Sequence, residues 1–188
     1  MLKHTKIFSL LFLLMAVFTN SCGNDDSLKK SQTVGTGEPC PQFQVTDMDG
    51  HTHVMPDNNM PSIIFFFHTG CEDCNKQFPI IQQLYDDYGG KCHFIGISRG
   101  QLENEVRPFL KRNGYTFPVS ADGTHTVYNL FARQIVPRVY IVGSGTIQMA
   151  TTDRKPLTYT TGSRLLDFYL QPGINTNLQM QQSWKKRL

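Results

Sequence analysis

Residues 62–67 form an uninterrupted apolar run, Ser-Ile-Ile-Phe-Phe-Phe, which is bounded by Pro61 and Gly70. A strand with one face in water alternates polar and apolar side chains. A run without alternation is typical of a strand that is covered on both faces in an α/β sheet. The sequence then shows apolar residues at spacings of three and four, which mark one face of a helix: Phe78, Ile81, Leu84, Tyr85 and Tyr88. The pattern therefore predicts a central strand followed by a helix that ends at Gly89-Gly90.

A second strand and a second helix follow. Residues 92–98, Cys-His-Phe-Ile-Gly-Ile-Ser, have the composition of another buried strand. Apolar residues then mark a helix that ends at Gly114, and they are Leu102, Val106, Phe109 and Leu110. The order strand, helix, strand, helix implies parallel strands joined by right-handed crossovers.

The last third of the chain has a different pattern. Residues 139–142 and 146–150 are short strands separated by Gly143-Ser144-Gly145, a link so tight that the two strands must be antiparallel. Residues 162–170 are expected to form a closing helix. The resulting order β-α-β-α-β-β-α is that of the thioredoxin fold. We therefore predict an α/β fold with a central mixed sheet and flanking helices.

An additional hairpin is predicted before this core. Residues 43–46 and 51–54 alternate in character, and the linker Asp47-Met48-Asp49-Gly50 supplies turn residues. His51 and His53 alternate on the second of these strands, so they share a face. We expect them to be exposed, because a metal pair would need further ligands.

The N-terminus has the features of a signal peptide. Lys3 and Lys6 precede an apolar run over residues 7–18, which is too short to span a bilayer comfortably. The sequence Thr19-Asn20-Ser21-Cys22 resembles a bacterial lipobox, although Thr19 stands where an aliphatic residue is usual. We therefore expect residues 1–21 to be removed and Cys22 to carry a lipid. An uncleaved anchor and plain secretion with a free Cys22 are the alternatives.

Composition divides the remainder of the chain into three parts. Residues 22–37 contain almost nothing to bury and are expected to be a flexible tether. Within it, Asn24-Asp25-Asp26 resembles an acidic surface-export signal, but a solvated tether would have the same composition. Residues 38–172 are the expected thioredoxin-like domain, and residues 173–188 are a polar, Gln-rich tail that we expect to be loosely held. The predicted location is the bacterial cell envelope, outside the cytoplasm and bound to a membrane through the lipid.

Charge and motif content exclude several classes of function. Eighteen Lys and Arg residues against fifteen Asp and Glu residues give a formal charge of +3, which is too small and too scattered for a nucleic-acid binder. The chain has neither a glycine-rich phosphate loop nor a paired-carboxylate signature, and we expect no cofactor.

The chemistry is expected at Cys71-Glu72-Asp73-Cys74, which follows the central strand and opens the first helix. The first turn of a helix has free N–H groups and the positive end of the helix dipole, and both stabilise a thiolate at Cys71. A thiolate is the nucleophile in disulfide exchange. Cys74 lies one turn later and can attack the mixed disulfide. We expect Cys71 to be the more exposed sulfur and Cys74 the more buried one.

Other roles for the cysteines remain open at this stage. A structural zinc site needs four ligands, and no second close pair of cysteines exists. His68 extends the motif to His-x-x-Cys-x-x-Cys, so a redox-silent binding module or a metal handler that uses His68, Cys71 and Cys74 is the alternative to an enzyme. Cys40 and Cys92 either form a disulfide or are two small buried hydrophobic residues.

Residues 65–79 resemble the thioredoxin-like, membrane-anchored thiol-disulfide oxidoreductases of the TlpA/ResA type. Pro79 stands where this family has a helix-kinking proline, and Val136-Pro137 stands where it has a cis-proline loop. The resemblance covers about residues 39–170. It implies a lipid-anchored enzyme that exchanges disulfides with cysteine-containing client proteins and is recycled by an unidentified redox partner. It also implies that Val136 and Pro137 bind the client backbone as a short antiparallel strand.

The chain departs from the family at several positions. Gly70 replaces a usual Trp, Phe65 replaces the buried Asp of thioredoxins, and Gln77 replaces a frequent Glu. Both usual proton-handling acids are therefore absent. Either His68, Glu72, Asp73 or water then takes the proton of Cys74, or turnover is slow.

Two further positions bear on the mechanism. Arg138 follows Pro137, where Thr is common, and it would favour the thiolate if it pointed towards Cys71 but would do nothing if it pointed to solvent. A peroxiredoxin-like peroxidase is a poorer interpretation, because its Thr should stand three residues before the reactive cysteine, and His68 is found there.

Overall fold

The computed structural model describes residues 33–172. The predicted signal peptide, Cys22, most of the tether and the tail over residues 173–188 lie outside this segment. None of its helices has the length and apolar character needed to cross a membrane.

The described segment has the predicted thioredoxin fold, with a five-stranded sheet in the order β5-β4-β3-β6-β7 and a separate two-stranded sheet, β1-β2. The strands are β1 (Phe43–Thr46), β2 (Thr52–Met55), β3 (Ser62–Phe67), β4 (His93–Arg99), β5 (Val119–Asp122), β6 (Arg138–Gly143) and β7 (Thr146–Ala150). The helices are α1 (Glu72–Tyr88), α2 (Glu103–Asn113), α3 (Tyr128–Phe131) and α4 (Tyr159–Leu170).

Strand β3 lies at the centre of the sheet and is buried along its whole length. It pairs parallel with β4 and antiparallel with β6. Alternate side chains enter two different cores. Phe65 and Phe67 pack with residues of α1, α2 and α4, while Ile64 and Phe66 pack with α3 and the N-terminal hairpin. Each buried phenylalanine contributes about 2 kcal/mol of hydrophobic free energy, so the run of residues that predicts β3 also supplies much of both cores.

The structure adds two elements that the sequence pattern did not indicate. Strand β5 has the sequence Val-Ser-Ala-Asp and lies at the edge of the sheet, so it carries no long apolar run. Helix α3 has a single turn.

Helix α4 begins three residues earlier than predicted, because the Thr158 hydroxyl accepts a hydrogen bond from the Thr161 N–H at 3.2 Å and caps the helix there.

The N-terminal end of the described segment is attached to the domain. The Gly37 N–H donates to the Ile147 carbonyl (2.8 Å), and the Cys40 N–H donates to the Gly145 carbonyl (2.9 Å). The Val34 N–H donates to the carbonyl of Phe131 at 2.8 Å. Residues 34–37, which composition places in the tether, are therefore bound to the domain. Thr36 and Gly37 lie along β7, and Val34 contacts α3 and packs against the Phe66 core. We call residues 34–40 the strap.

Cys40 and Cys92 do not form a disulfide. Both thiols are free and buried, but Cys40 packs with the Phe66 core and Cys92 with the Phe65 core, on opposite faces of the sheet. Burial raises the pKa of each thiol to about 12. Of the two alternatives, a disulfide or two small buried hydrophobic residues, the structure therefore shows the second.

One of the two hairpin histidines is less exposed than expected. The His51 side chain is 76% exposed, but that of His53 is only 14% exposed, and its Nε2 lies 2.9 Å from Oδ2 of the buried Asp47. Burial by itself would raise the pKa of Asp47. Hydrogen bonds from the His53 ring and from the N–H groups of His51 and Asp49 outweigh this effect and lower it. Asp47 therefore organises the hairpin as a buried carboxylate, a role that its position in a turn did not reveal.

Candidate active site

Cys71 lies at the junction between β3 and α1. It is the N-cap residue of α1, and its Sγ accepts a hydrogen bond from the Cys74 N–H at 3.3 Å. Cys71 is half-buried, whereas Cys74 is completely buried against the helix side of the sheet. The predicted order of exposure is therefore confirmed. Burial, followed by its hydrogen bond with Cys71, raises the pKa of Cys74, so Cys74 remains a thiol while Cys71 is the accessible sulfur.

The loop before Cys71 is held in place by hydrogen bonds that the N–H groups of residues 69–71 donate. The Gly70 N–H donates to His68 Nδ1 and the Cys71 N–H donates to the His68 carbonyl, each at 3.0 Å. The Thr69 N–H donates to Gln101 Oε1 at 2.8 Å. Since these three N–H groups already have acceptors, the Cys74 N–H is the backbone donor that faces the Cys71 sulfur.

Gln101 is a site-supporting residue that sequence reasoning missed. It is 3% exposed and lies between β4 and α2. Its Oε1 accepts from the Thr69 N–H, and its Nε2 donates to Thr69 Oγ1 at 2.7 Å. These two hydrogen bonds fix the loop that carries Cys71. No local motif marks the residue, because its partner lies 32 positions away in the sequence.

Gln77 is occupied by a structural contact. Its Nε2 donates to the Leu157 carbonyl at 3.0 Å, and its Oε1 accepts from the Leu157 N–H at 2.8 Å. The side chain is 3% exposed and ties α1 to the segment before α4. Phe65, at the other position where an acid is usual, is part of the core. Neither position supplies a group that could take the proton of Cys74.

The two acidic residues of the motif are exposed, whereas the Cys74 thiol is buried. The carboxylates of Glu72 and Asp73 are exposed and pair with Lys76 Nζ at 3.1 and 3.0 Å. Of the alternatives for the proton of Cys74, water remains. A neutral imidazole has one acceptor nitrogen, and His68 Nδ1 already accepts from the Gly70 N–H.

The cis-proline loop faces the reactive sulfur. The Val136–Pro137 bond is cis, as predicted, and the Cys71 Sγ lies 3.6 Å from the Val136 carbonyl oxygen. A second cis bond, Met55–Pro56, was not predicted.

Arg138 takes neither of the two orientations that the sequence left open. It is only 8% exposed, so it does not point to solvent. It pairs with Phe66 in the sheet and lies on the Phe66 face, opposite to Cys74, where its Nη2 donates to the Gln134 carbonyl at 3.2 Å. Its effect on Cys71 is therefore indirect at most.

The alternative of a metal handler has no geometric support. Within residues 33–172, no group of three or more His, Cys, Asp or Glu side chains is arranged to hold a metal ion.

Proteins named ResA are similar to this chain in sequence. The thiol-disulfide oxidoreductase ResA of Geobacillus kaustophilus is 27% identical over 111 residues, which cover 58% of this chain and 64% of that protein. A ResA protein of Bacillus cereus is 26% identical over 148 residues, covering 76% of this chain and 84% of its own length.

A structural neighbour shows the same fold. The thiol:disulfide interchange protein of the thioredoxin family from Chlorobium tepidum TLS superposes with a TM-score of 0.61 at 18% identity, over 74% of this chain and all of that one. The family model described as AhpC/TSA family matches residues 36–150, which is more than half of the sequence. The resemblance to ResA-type proteins is thus confirmed, and the chain belongs to the AhpC/TSA family and has the thioredoxin fold.

Proposed function

We propose that this protein is a thiol-disulfide oxidoreductase that exchanges disulfides with client proteins through Cys71 and Cys74. One observation carries the proposal. The half-buried Cys71 sulfur accepts the Cys74 N–H at the N-terminus of α1, while the Val136 carbonyl of the cis-proline loop lies 3.6 Å away. An accessible thiolate beside a backbone that can pair with an extended segment is what disulfide exchange requires.

The exchange has two steps. The Cys71 thiolate attacks one sulfur of a client disulfide, forms a mixed disulfide and releases the other client sulfur as a thiolate. Cys74 then loses its proton, attacks the Cys71 sulfur and releases the second client thiolate, leaving a Cys71–Cys74 disulfide. The client is reduced by two electrons and the enzyme is oxidised by two. The reverse sequence oxidises a client dithiol, and the reduction potential of the pair decides the direction.

The second step depends on the buried environment of Cys74. Burial raises the pKa of this thiol, and no carboxylate at position 65 or 77 can take its proton. The proton passes to water once the client displaces the Cys71–Cys74 contact. The buried thiol therefore stays inert until a mixed disulfide has formed.

Equilibration with glutathione buffers tests the proposed activity. Across a series of ratios of reduced to oxidised glutathione, we expect the pair to convert cooperatively between a dithiol and an intramolecular disulfide that lacks two hydrogens by mass. The midpoint gives the reduction potential and the direction of exchange. A pair that never forms the disulfide would refute the redox function and favour the binding module.

We further propose that the protein is held at a membrane of the bacterial cell envelope by a lipid on Cys22. The support is the run of residues 7–18 followed by the lipobox-like sequence that ends at Cys22. The clients would then be envelope proteins with cysteines or disulfides, and a separate redox partner would restore the starting state of the Cys71–Cys74 pair.

Cys22→Ser is expected to move the protein from the membrane fraction to the soluble fraction, because the thioether-linked lipid cannot form without a thiol. Membrane and soluble fractions of cells that express either form provide the measurement. Cys40→Ser, which removes a buried thiol, is the matched control and should stay with the membrane. Retention of Cys22→Ser in the membrane fraction would instead identify residues 7–18 as an uncleaved anchor.

A further inference from the structure

Three successive carbonyls of the cis-proline loop each accept a hydrogen bond from a side chain outside residues 134–136. Arg138 Nη2 donates to the Gln134 carbonyl at 3.2 Å, and Tyr128 Oη donates to the Ile135 carbonyl at 2.7 Å. The third, that of Val136, faces the Cys71 Sγ at 3.6 Å. Two side chains thus fix the loop next to the carbonyl that meets the reactive sulfur.

The backbone at Ile135 needs such support. Its φ is +71°, in the left-handed region that β-branched residues strongly disfavour. Its side chain is 53% exposed, so burial of that side chain does not compensate for the conformation. The short hydrogen bond from Tyr128 Oη is the contact that holds the Ile135 carbonyl in place.

Tyr128 is itself rigidly placed. The residue is completely buried, and its ring packs edge-on against Phe66 at 5.4 Å between centroids. The guanidinium of Arg99 lies 4.8 Å from the ring centroid. The position of the Tyr128 hydroxyl is therefore set by the core rather than by the loop that it supports.

We propose that Tyr128 is a positioning residue for client binding, with Arg138 assisting it. Together they hold the cis-proline loop so that Val136 pairs with the client backbone at the place where the client sulfur meets Cys71. This inference rests on the proposed oxidoreductase function. It implies that Tyr128 matters for a disulfide carried by a polypeptide and not for a small disulfide, which has no backbone to pair with the loop.

The test uses the Cys74→Ser protein, in which the reaction stops at the mixed disulfide. Its rate of adduct formation is measured with insulin, a disulfide-bonded protein, and with hydroxyethyl disulfide. Adding Tyr128→Phe is expected to slow the reaction with insulin about tenfold, as expected for the loss of one well-aligned hydrogen bond, and to change the reaction with the small disulfide less than about twofold. Tyr169→Phe is the matched control and should change neither rate. Tyr169 is also buried, it lies in α4, and within residues 33–172 its hydroxyl donates to none of the loop carbonyls.

A second pair of variants tests the contact with Gln134. Arg138→Met is expected to slow the reaction with insulin selectively, and Arg138→Lys to restore part of the rate because an ammonium can still donate to the carbonyl. Equal slowing with both disulfides, no slowing at all, or the same selective loss in Tyr169→Phe would overturn the inference. A Cys74→Ser parent that reacts with neither disulfide would instead refute the proposed function, and the positioning role with it.

Discussion

Cys71→Ser is expected to abolish disulfide exchange completely, whereas Cys74→Ser should carry out the first step and stop at the second. The serine hydroxyl is not ionised near neutral pH, so the helix N-terminus has no nucleophile to stabilise. Cys74 cannot replace Cys71, because it is completely buried and its pKa is raised. The Cys74→Ser protein should therefore accumulate a mixed disulfide between Cys71 and the client.

To separate these outcomes, each variant is incubated with disulfide-bonded insulin, and its free thiols are then alkylated. The products are analysed by non-reducing electrophoresis. We expect a stable adduct with Cys74→Ser and no adduct with Cys71→Ser. Cys92→Ala is the matched control, since this thiol is buried with a pKa of about 12, and the variant should turn over like the parent protein. Adducts of equal amount from the two active-site variants would contradict the assigned roles.

Gln77→Leu is expected to lower the free energy of unfolding by about 2–4 kcal/mol, because it leaves a buried N–H and a buried carbonyl of Leu157 without partners. Gln77→Glu should behave differently. Only a protonated Glu can still donate to the Leu157 carbonyl, so burial should raise the pKa of Glu in the folded state above its unfolded value of about 4.3. A raised folded pKa means that stability is retained below the unfolded pKa and is lost as the pH rises through the folded pKa.

Urea denaturation between about pH 4 and pH 8 measures both variants. We expect a nearly constant deficit for Gln77→Leu and a deficit that grows with pH for Gln77→Glu. Gln83→Glu, on the exposed face of the same helix, is the control for adding a charge to α1. A Gln77→Glu protein that is as stable as the parent at every pH would show that the hydrogen bonds to Leu157 contribute little to the free energy of unfolding.

The fold is predictable from sequence wherever burial alone determines the pattern. The bounds of β3 agree with its apolar run, because both faces are covered and no polar residue interrupts the signal. Strand β5 escapes detection because it is short and partly polar, and it depends on a register with β4 that only tertiary structure supplies. The strap escapes detection for a related reason, since its attachment relies largely on backbone hydrogen bonds, which leave no trace in composition.

The active site likewise has features that the sequence predicts and features that it does not. Cys71 and Cys74 are predictable because their spacing and their place at a helix start are local properties. The contacts of Gln101 with Thr69 and of Tyr128 with Ile135 are specific to this fold and have no spacing rule. Gln77 was recognisable as a departure from the family, but its partner at Leu157 lies 80 positions away. What sequence could not provide is therefore the set of long-range hydrogen bonds that hold the motif in place.

The direction of the strap determines at which end of the sheet the chain enters the domain. Cys40 bonds to Gly145 at the far end of β7, whereas Thr36 lies against Ala150, at the end nearer Pro137. Val34 continues to Phe131, which belongs to the helix whose Tyr128 supports the cis-proline loop. Any attachment upstream of Val34 would therefore join the domain beside the cis-proline loop, at the end of the sheet that also carries the Cys71 sulfur, and not at the opposite end.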